Sequence, residues 1–150
     1  MNAQYIVYFI SKTKKNMISF IETALQAHGL SDIIPSHGNI LTVLYEAKEP
    51  MTMKAIAERI GKDKSTVTFL VNRLIELGYV GKTAADFDKR VSLIALTDLG
   101  RAKEADYRLI SNAVTETAYR GFSEDEKETF LALLKRMNQN FTSDNREKEA

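Results

Sequence analysis

One short stretch of the sequence concentrates hydroxyl, amide and cationic side chains around one aromatic ring: Lys64, Ser65, Thr66, Thr68, Phe69, Asn72 and Arg73. Hydroxyl groups and a helix N-terminus can bond phosphate oxygens, and lysine and arginine add positive charge. Residues near the start of a recognition helix also reach base edges in the major groove. The stretch predicts a face that contacts double-stranded DNA. An ordinary solvated helix face is the alternative, because short polar residues open many helices.

The segments around this stretch predict two short helices. Thr52 is a suitable N-cap for the first helix, and Gly61 ends it. Asp63 is a suitable N-cap for the second, which continues to Gly78. Because the junction between them is so short, the two helices are expected to cross at a steep angle.

A steep crossing requires particular residue types behind the polar face. A small residue must lie where the helices touch, and Ala57 provides it. The turn needs a residue that tolerates positive φ, which Gly61 does. Val67 and Leu70 then anchor the second helix from beneath. This pattern favours a helix-turn-helix over an ordinary solvated face.

A second charged cluster, Asp88, Lys89 and Arg90, lies between the apolar stretches 79–83 and 91–96. Those stretches predict a two-stranded hairpin, or wing, and no other β-structure is predicted. Arg90 could enter a minor groove, and Asp88 could orient either Arg90 or Arg73 by a charge-assisted hydrogen bond. A generic surface ion pair that contributes little is the alternative for Asp88 and Arg90.

Amphipathic helices flank this region on both sides. Apolar residues at helical spacing predict one helix over about 5–28, and Ser36 predicts the N-cap of another that ends before Pro50. Thr97 begins one long predicted helix that Gly121 ends. Ser123 and Glu126 form a capping box that starts a last helix. The predicted fold is mainly α with a small two-stranded wing.

Composition excludes several functional classes. The chain has 150 residues, 44% of them hydrophobic, no cysteine and two histidines, His28 and His37. It offers no nucleophile and base pair, no cofactor motif and no metal-ligand cluster, so no catalytic residue, cofactor or metal site is predicted. No signal sequence or membrane span is apparent, and a cytoplasmic location is predicted.

The charge distribution is uneven along the chain. Net charge is +1 overall. Residues 52–90 contain eight bases and five acids, a net charge of +3, which leaves −2 for the rest. A positive centre between acidic arms favours a module that binds a polyanion.

Two motifs together resemble a known family. The run DKRVSLIALT over residues 88–97, followed by Gly100, resembles the wing signature of the multiple-antibiotic-resistance regulator (MarR) family, an Asp-x-Arg pair before an apolar strand and Leu-Thr. The stretch IAERIGKDKSTVTFLVNRLIELGYV is similar to the helix-turn-helix of that family. By motif, the resemblance covers about 36–100.

The resemblance implies one MarR-like domain in a homodimer over a pseudopalindromic DNA operator. Residues 5–30 and 98–141 would form the helical dimerisation region, residues 36–97 the winged helix-turn-helix lobe, and residues 142–150 a flexible tail. The wide apolar stripes of the helices at both ends of the chain also favour a homodimer, because a second copy of the chain would cover them. By position, Ser65, Thr66, Thr68 and Arg73 would be recognition-helix contacts, with Lys64, Phe69, Asn72 and Lys89 on the same surface. Arg90 would be the minor-groove arginine.

The resemblance also implies a transcriptional regulator, more commonly a repressor, that releases DNA on binding a small anionic or phenolic effector. Lys12 and His37 are candidates for the effector pocket. A charged outer face for Lys12, and a capping or solvent-facing role for His37, are the alternatives. The sequence lacks the first-helix cysteine of peroxide-sensing relatives. A competing function is a winged helix that binds a protein partner without specific DNA binding.

Overall fold

The computed structural model describes the backbone of residues 2–149 and the side chains of residues 2–142. A 3-10 turn at Ala3–Tyr5 precedes the first helix. The helices are α1 (Ile6–Ala27), α2 (Pro35–Ala47), α3 (Met53–Ile60), α4 (Lys64–Glu76), α5 (Asp98–Ala102), α6 (Glu104–Ala118) and α7 (Glu124–Glu149). The strands are β1 (Met51–Thr52), β2 (Val80–Ala84) and β3 (Ser92–Leu96). The mainly helical fold with a β-wing is confirmed.

The sheet has one strand more than the sequence predicts. Strands β2 and β3 form the expected antiparallel hairpin, with Val80 opposite Leu96. Strand β1 pairs with the other edge of β3 and places Met51 opposite Ile94, so the order is β1-β3-β2. The two residues between Pro50 and α3 are too few to show a period of two, and the prediction of a two-stranded sheet was therefore incomplete.

The start of α2 differs from the prediction. The helix begins at Pro35 with Ile34 as its N-cap residue, so the assignment of Ser36 as the cap was wrong. Proline suits the first helical position because its fixed φ is helical and no N–H is needed there. The ring nitrogen Nδ1 of His37 accepts a hydrogen bond from the N–H of Ile34 at 3.1 Å, which supplies the cap that Ser36 was expected to provide.

The long helix predicted after Thr97 is interrupted. Helix α5 ends at Ala102, and α6 begins at Glu104. The hydroxyl of Tyr45 donates to the carbonyl of Gly100 at 2.8 Å, and the N–H of Lys103 contacts the same oxygen at 3.3 Å. The Gly100 carbonyl therefore already accepts from a side chain and from the N–H three residues later. It is a poor acceptor for the regular α-helical bond from the N–H four residues later, which accounts for the break.

The helix-turn-helix is assembled as predicted. Thr52 caps α3 by accepting a hydrogen bond from Ala55 N at 3.1 Å, and Gly61 ends it at φ 66. Ala57 and the two predicted anchors, Val67 and Leu70, are buried. The core of the lobe is completed by buried side chains of α2, α3, α4 and β3: Ile40, Leu41, Leu44, Ile56, Val71, Leu74 and Ile94.

The chain divides into two compact units, residues 1–114 and 115–150. The second contains the predicted capping box: Ser123 N donates to Glu126 Oε2 at 2.8 Å, and Glu126 N donates to Ser123 Oγ at 3.2 Å. In the same unit the ring of Phe122 contacts Tyr119 and Phe130 edge-to-face. The tail predicted for 142–150 falls almost entirely outside the residues whose side chains are described, and it stays a prediction.

Replacing Gly61 with alanine should destabilise the lobe by about 1 kcal/mol, because an L-residue is strained at positive φ. A Cβ at Gly61 would meet no atom within 4 Å, so strain would be the only cost. Gly81→Ala is the matched control, since Gly81 in β2 also has open space and lacks a positive φ. Chemical denaturation measures both, and equal stability of the two variants would contradict the assignment.

Candidate nucleic-acid interface

Helix α4 presents two different faces. Val67, Leu70, Val71 and Leu74 are buried on the inner one. The predicted contact residues lie on the other: Lys64, Ser65, Phe69, Asn72 and Arg73 are exposed, and Thr66 and Thr68 are half-buried. The structure therefore brings all seven together on one accessible surface of a single helix.

Asp63 organises the first turn of this helix. Its carboxylate accepts hydrogen bonds from Ser65 Oγ at 2.6 Å, from Thr66 N at 2.8 Å and from Thr66 Oγ1 at 2.9 Å. These bonds favour the charged form and therefore hold the pKa of Asp63 well below its usual range. The bond from Ser65 has the largest effect. The cap predicted from the sequence is confirmed, and it stays ionised.

The hydroxyl protons on this face already have acceptors. Ser65 and Thr66 donate to Asp63, and Thr68 Oγ1 donates to the carbonyl of Lys64 at 2.8 Å. A phosphate oxygen accepts hydrogen bonds only, so each hydroxyl would have to turn its proton outward to bind one. The predicted role of these hydroxyls as phosphate ligands therefore involves exchange of an existing hydrogen bond.

The wing holds its arginine by a local network. The turn is closed by Ala85 N, which donates to Val91 O at 2.8 Å. Asp88 accepts hydrogen bonds from Arg90 N at 3.0 Å, from its Nε at 3.1 Å and from its Nη2 at 2.9 Å. Of the two partners predicted for Asp88, the structure selects Arg90. Arg73 instead pairs with Glu76 in its own helix at 3.1 Å.

This network leaves Arg90 available to a ligand. The pairing lowers the pKa of Asp88 and raises the pKa of Arg90, since each charge favours the other. The arginine side chain is 90% exposed, and the bonds to Asp88 use Nε and Nη2. Those bonds do not use its Nη1 donors. Lys89 pairs with Asp86 at 3.5 Å beside it.

Two residues of this region were missed by the sequence reasoning. Phe87, at the wing tip, is 77% exposed, and its only sequence signal is an aromatic residue inside a polar turn. Tyr79 is buried and its hydroxyl donates to both carboxylate oxygens of Asp32, at 3.0 and 3.1 Å. Burial and this hydrogen bond raise the pKa of Tyr79 to about 12. No sequence pattern links residues so far apart.

The two candidate effector residues have local contacts. Lys12 Nζ donates to the hydroxyl of Tyr8 at 3.1 Å and lies 5.4 Å from the centre of its ring. His37 is buried, and burial, followed by the charge of Arg73, lowers its pKa. A neutral ring explains why Nδ1 can accept from Ile34. None of these described contacts joins Lys12 to His37, and their effector role stays a prediction.

A small cavity lies elsewhere in the first unit. Its volume is about 260 Å³, and α2, β3, α5 and α6 contribute to its lining. Tyr45 and Leu96 give apolar surface, and the charged lining residues are two cations, Lys48 and Arg101, and two acids, Glu49 and Glu104. Arg101 also donates to the carbonyl of Leu96 at 2.8 Å and pairs with Asp98 at 2.6 Å.

The helix-turn-helix and the wing match a known protein family. The model of the MarR family matches residues 28–91, which include the helix-turn-helix and most of the wing. The winged lobe is a MarR-family domain. The resemblance inferred from the motifs at 88–97 and in α3 and α4 is thereby confirmed.

Relatives and solved structures are similar to the chain beyond the lobe, and the structures share its fold. The HTH-type transcriptional repressor YetL of Bacillus subtilis is 27% identical over 121 residues, 80% of this chain and 71% of that protein. The regulator PcaV of Streptomyces coelicolor, solved with its natural ligand, has a TM-score of 0.80 at 21% identity and covers 91% of this chain and 94% of its own. FabT of Streptococcus pneumoniae, solved with DNA, has a TM-score of 0.77 at 22% identity, with coverages of 95% and 99%.

The family match therefore applies to residues 28–91, and the relative YetL, similar over 80% of the chain, is an HTH-type transcriptional repressor by name. Regulators of the MarR family are non-enzymatic transcription factors. Within residues 2–142, no group of three or more histidine, aspartate or glutamate side chains is arranged to hold a metal ion. Among the described helices, none combines the length and the hydropathy needed to cross a bilayer.

Acidification should remove the contribution of the Asp63 cap. Because the pKa of Asp63 is lower in the folded protein than its ordinary 3.8, the cap stabilises fully above that value and loses its effect as pH falls toward the folded pKa. Asp63→Asn keeps a side-chain oxygen but does not titrate, so it is the reference variant. Denaturation from about pH 7 down to about pH 3 should show the wild-type advantage shrinking. A constant difference would disprove this role.

Proposed function

We propose that the chain is a cytoplasmic homodimer that binds a pseudopalindromic DNA operator sequence-specifically and represses transcription until a small anionic or phenolic effector releases it. The observation that carries the proposal is the pairing of two accessible elements. Helix α4 turns its polar face outward, and in the adjacent wing Asp88 holds the guanidinium of Arg90, whose side chain is 90% exposed. A helix suits the width of the major groove, and an exposed arginine suits a narrow minor groove.

Charge supports DNA as the ligand of this surface. Residues 52–90 carry a net charge of +3, whereas the rest of the chain carries −2. Lys64 and Lys82 are exposed within this segment, and Arg73 is exposed although it pairs with Glu76. Since phosphate contacts supply most non-specific affinity, such a segment favours association with a duplex. The neighbour FabT was solved with DNA, which agrees with this proposal.

Unburied apolar side chains support a homodimer. In α1 and the turn before it, large hydrophobic residues are exposed: Tyr5, Ile6, Val7, Tyr8, Phe9, Ile10, Met17 and Phe20. In α7, the exposed ones are Phe130, Leu131, Leu133 and Phe141. A second copy would remove these surfaces from water, and its two-fold symmetry would present two recognition helices to two half-sites.

Repression and effector release are the finer part of the proposal. The relative YetL is a repressor by name, and the neighbour PcaV was solved with its natural ligand. The cavity of about 260 Å³ is large enough for a small molecule, and its lining combines the apolar surface of Tyr45 and Leu96 with the cations Lys48 and Arg101 and the acids Glu49 and Glu104. An anionic effector would have to pair with one of these cations in place of an acid. We place the effector there, although the sequence had pointed to Lys12 and His37, which do not line this cavity.

Selection of bound sites from random duplexes tests the function directly. The selected operator should contain two inverted half-sites whose centres lie about 10 base pairs, or a multiple, apart. Affinity should fall steeply with salt, with a log-log slope of about −0.9 per phosphate contact. A winged helix that binds only protein partners would select no sequence. Adding 4-hydroxybenzoate, a phenolic anion, should weaken operator binding if release works as proposed.

Arg90→Ala should reduce operator affinity roughly tenfold or more, because it removes a cation directed at a narrow groove. It should also make the salt slope less negative by about 0.9, the value for one phosphate-equivalent contact. Arg108→Ala is the control, since Arg108 is also an exposed arginine in an ion pair, with Glu104 of α6. Fluorescence anisotropy at several salt concentrations measures both quantities, and equal effects of the two substitutions would contradict the wing assignment.

Phe9→Glu should convert the dimer to monomers, because it places a charge on the apolar stripe of α1 that a second copy is proposed to cover. Phe9 is 49% exposed in the single chain, so folding of the monomer should tolerate the change. Lys15→Gln changes net charge by the same amount on the polar face that Lys15 shares with Ser11 and Glu22, and it should leave the dimer intact. Light scattering after gel filtration reports the mass, and a dimeric Phe9→Glu variant would refute this interface.

A further inference from the structure

The winged lobe exposes large hydrophobic side chains at two places. Across the described residues 36–97, these are Phe69, 74% exposed, and Phe87, 77% exposed. Phe69 lies on the outer face of α4, and Phe87 lies at the tip of the wing between β2 and β3. The lobe thus places one uncovered aromatic ring on each of the two elements proposed to contact DNA.

The turn that carries Phe87 is held in shape by bonds on both sides of it. Ala85 N donates to Val91 O at 2.8 Å, and Val91 N donates to Asp88 O at 3.0 Å. The Asp88 side chain accepts from Arg90, and Asp86 pairs with Lys89. Phe87 stands between these two acids and projects into solvent, so the ring is presented by a constrained turn rather than by a loose loop.

Charge alone gives this turn limited attraction for DNA. Its two cations, Lys89 and Arg90, are each paired with an acid of the same turn, at 3.5 and 2.9 Å. The four charges sum to zero, so Arg90 is a local cation on a tip that has no net charge. An apolar ring beside Arg90 would add affinity that does not depend on charge.

We propose that Phe87 is an apolar wedge for the DNA minor groove, entering it beside Arg90 and pressing on a base step. Apolar side chains that enter the minor groove partly unstack base pairs and favour flexible pyrimidine–purine steps. Phe87 therefore adds affinity that salt does not screen, together with a preference for a deformable step at each outer edge of the operator. This inference rests on the proposed DNA-binding function.

Phe87→Ala tests the wedge on the full-length protein and its selected operator. Affinity should fall roughly tenfold, because the burial of a phenylalanine ring is lost. The salt slope should remain at the wild-type value, in contrast to the change expected for Arg90→Ala. Phe87→Leu should recover most of the affinity. The ring has little contact with the lobe, so unfolding by denaturant should be the same for all three proteins.

Unstacking of the base step can be detected by the fluorescence of 2-aminopurine in the DNA. 2-Aminopurine placed in turn at the adenines outside each half-site should brighten when wild-type protein binds, and Phe87→Ala should abolish the increase. The measurement is made at protein concentrations that saturate the duplex, and Phe69→Ala is the comparison: it removes an equally exposed ring from α4 and, whatever its effect on affinity, should keep the signal at the wing.

Several outcomes would overturn the wedge. They are unchanged affinity of Phe87→Ala, a loss of affinity accompanied by a changed salt slope, or binding without a 2-aminopurine signal. A change in the mass of the protein with no effect on DNA would assign Phe87 to a protein contact instead. Failure of the wild-type protein to select any duplex would refute the proposed function itself, a result distinct from these.

Discussion

The stripe of apolar side chains along α4 is the constraint on which the rest of the lobe depends. Val67, Leu70, Val71 and Leu74 are buried against α2, α3 and the sheet. With 3.6 residues per turn, burial of one side of a helix dictates which residues lie on the other. Burial of the apolar side chains is therefore sufficient to orient the polar face of α4 toward solvent. The glycine turn and the Asp63 cap fix where that helix begins, and thus which residues lie at its exposed N-terminal end.

In the region proposed to contact DNA, the charged side chains interact mainly with their neighbours in sequence. Asp63 bonds Ser65 and Thr66, Asp88 bonds Arg90, and Glu76 pairs with Arg73. Such short-range pairs hold their members in defined positions, whereas their net stabilisation is small at an exposed surface. Their importance is geometric: they decide which hydrogens and lone pairs face outward before a ligand arrives. On the proposed function, binding to DNA would exchange some of these hydrogen bonds for bonds to the duplex and would also add new contacts.

Features set by local chemistry were predictable from the sequence, whereas those set by tertiary contacts were not. The Asp63 cap, the Gly61 turn, the buried face of α4 and the Ser123 box follow from residue types at fixed spacing. Strand β1 depends on a free edge of β3, and the break at Lys103 depends on the hydroxyl of Tyr45, both far away in sequence. The sequence also could not decide whether Asp88 bonds Arg90 or Arg73, because either arginine can donate to a carboxylate.

Tyr79 joins the base of the wing to the segments behind it. Its hydroxyl donates to Asp32 in the segment between α1 and α2, and its carbonyl accepts from Thr97 N at 3.1 Å. The same carbonyl lies so close to Gly100 that a side chain there would collide with it. The residue that precedes β2 is thus in contact with the α1–α2 segment through its side chain and with α5 through its backbone. A shift of α5 would therefore have to displace the base of β2 or break the bond to Thr97.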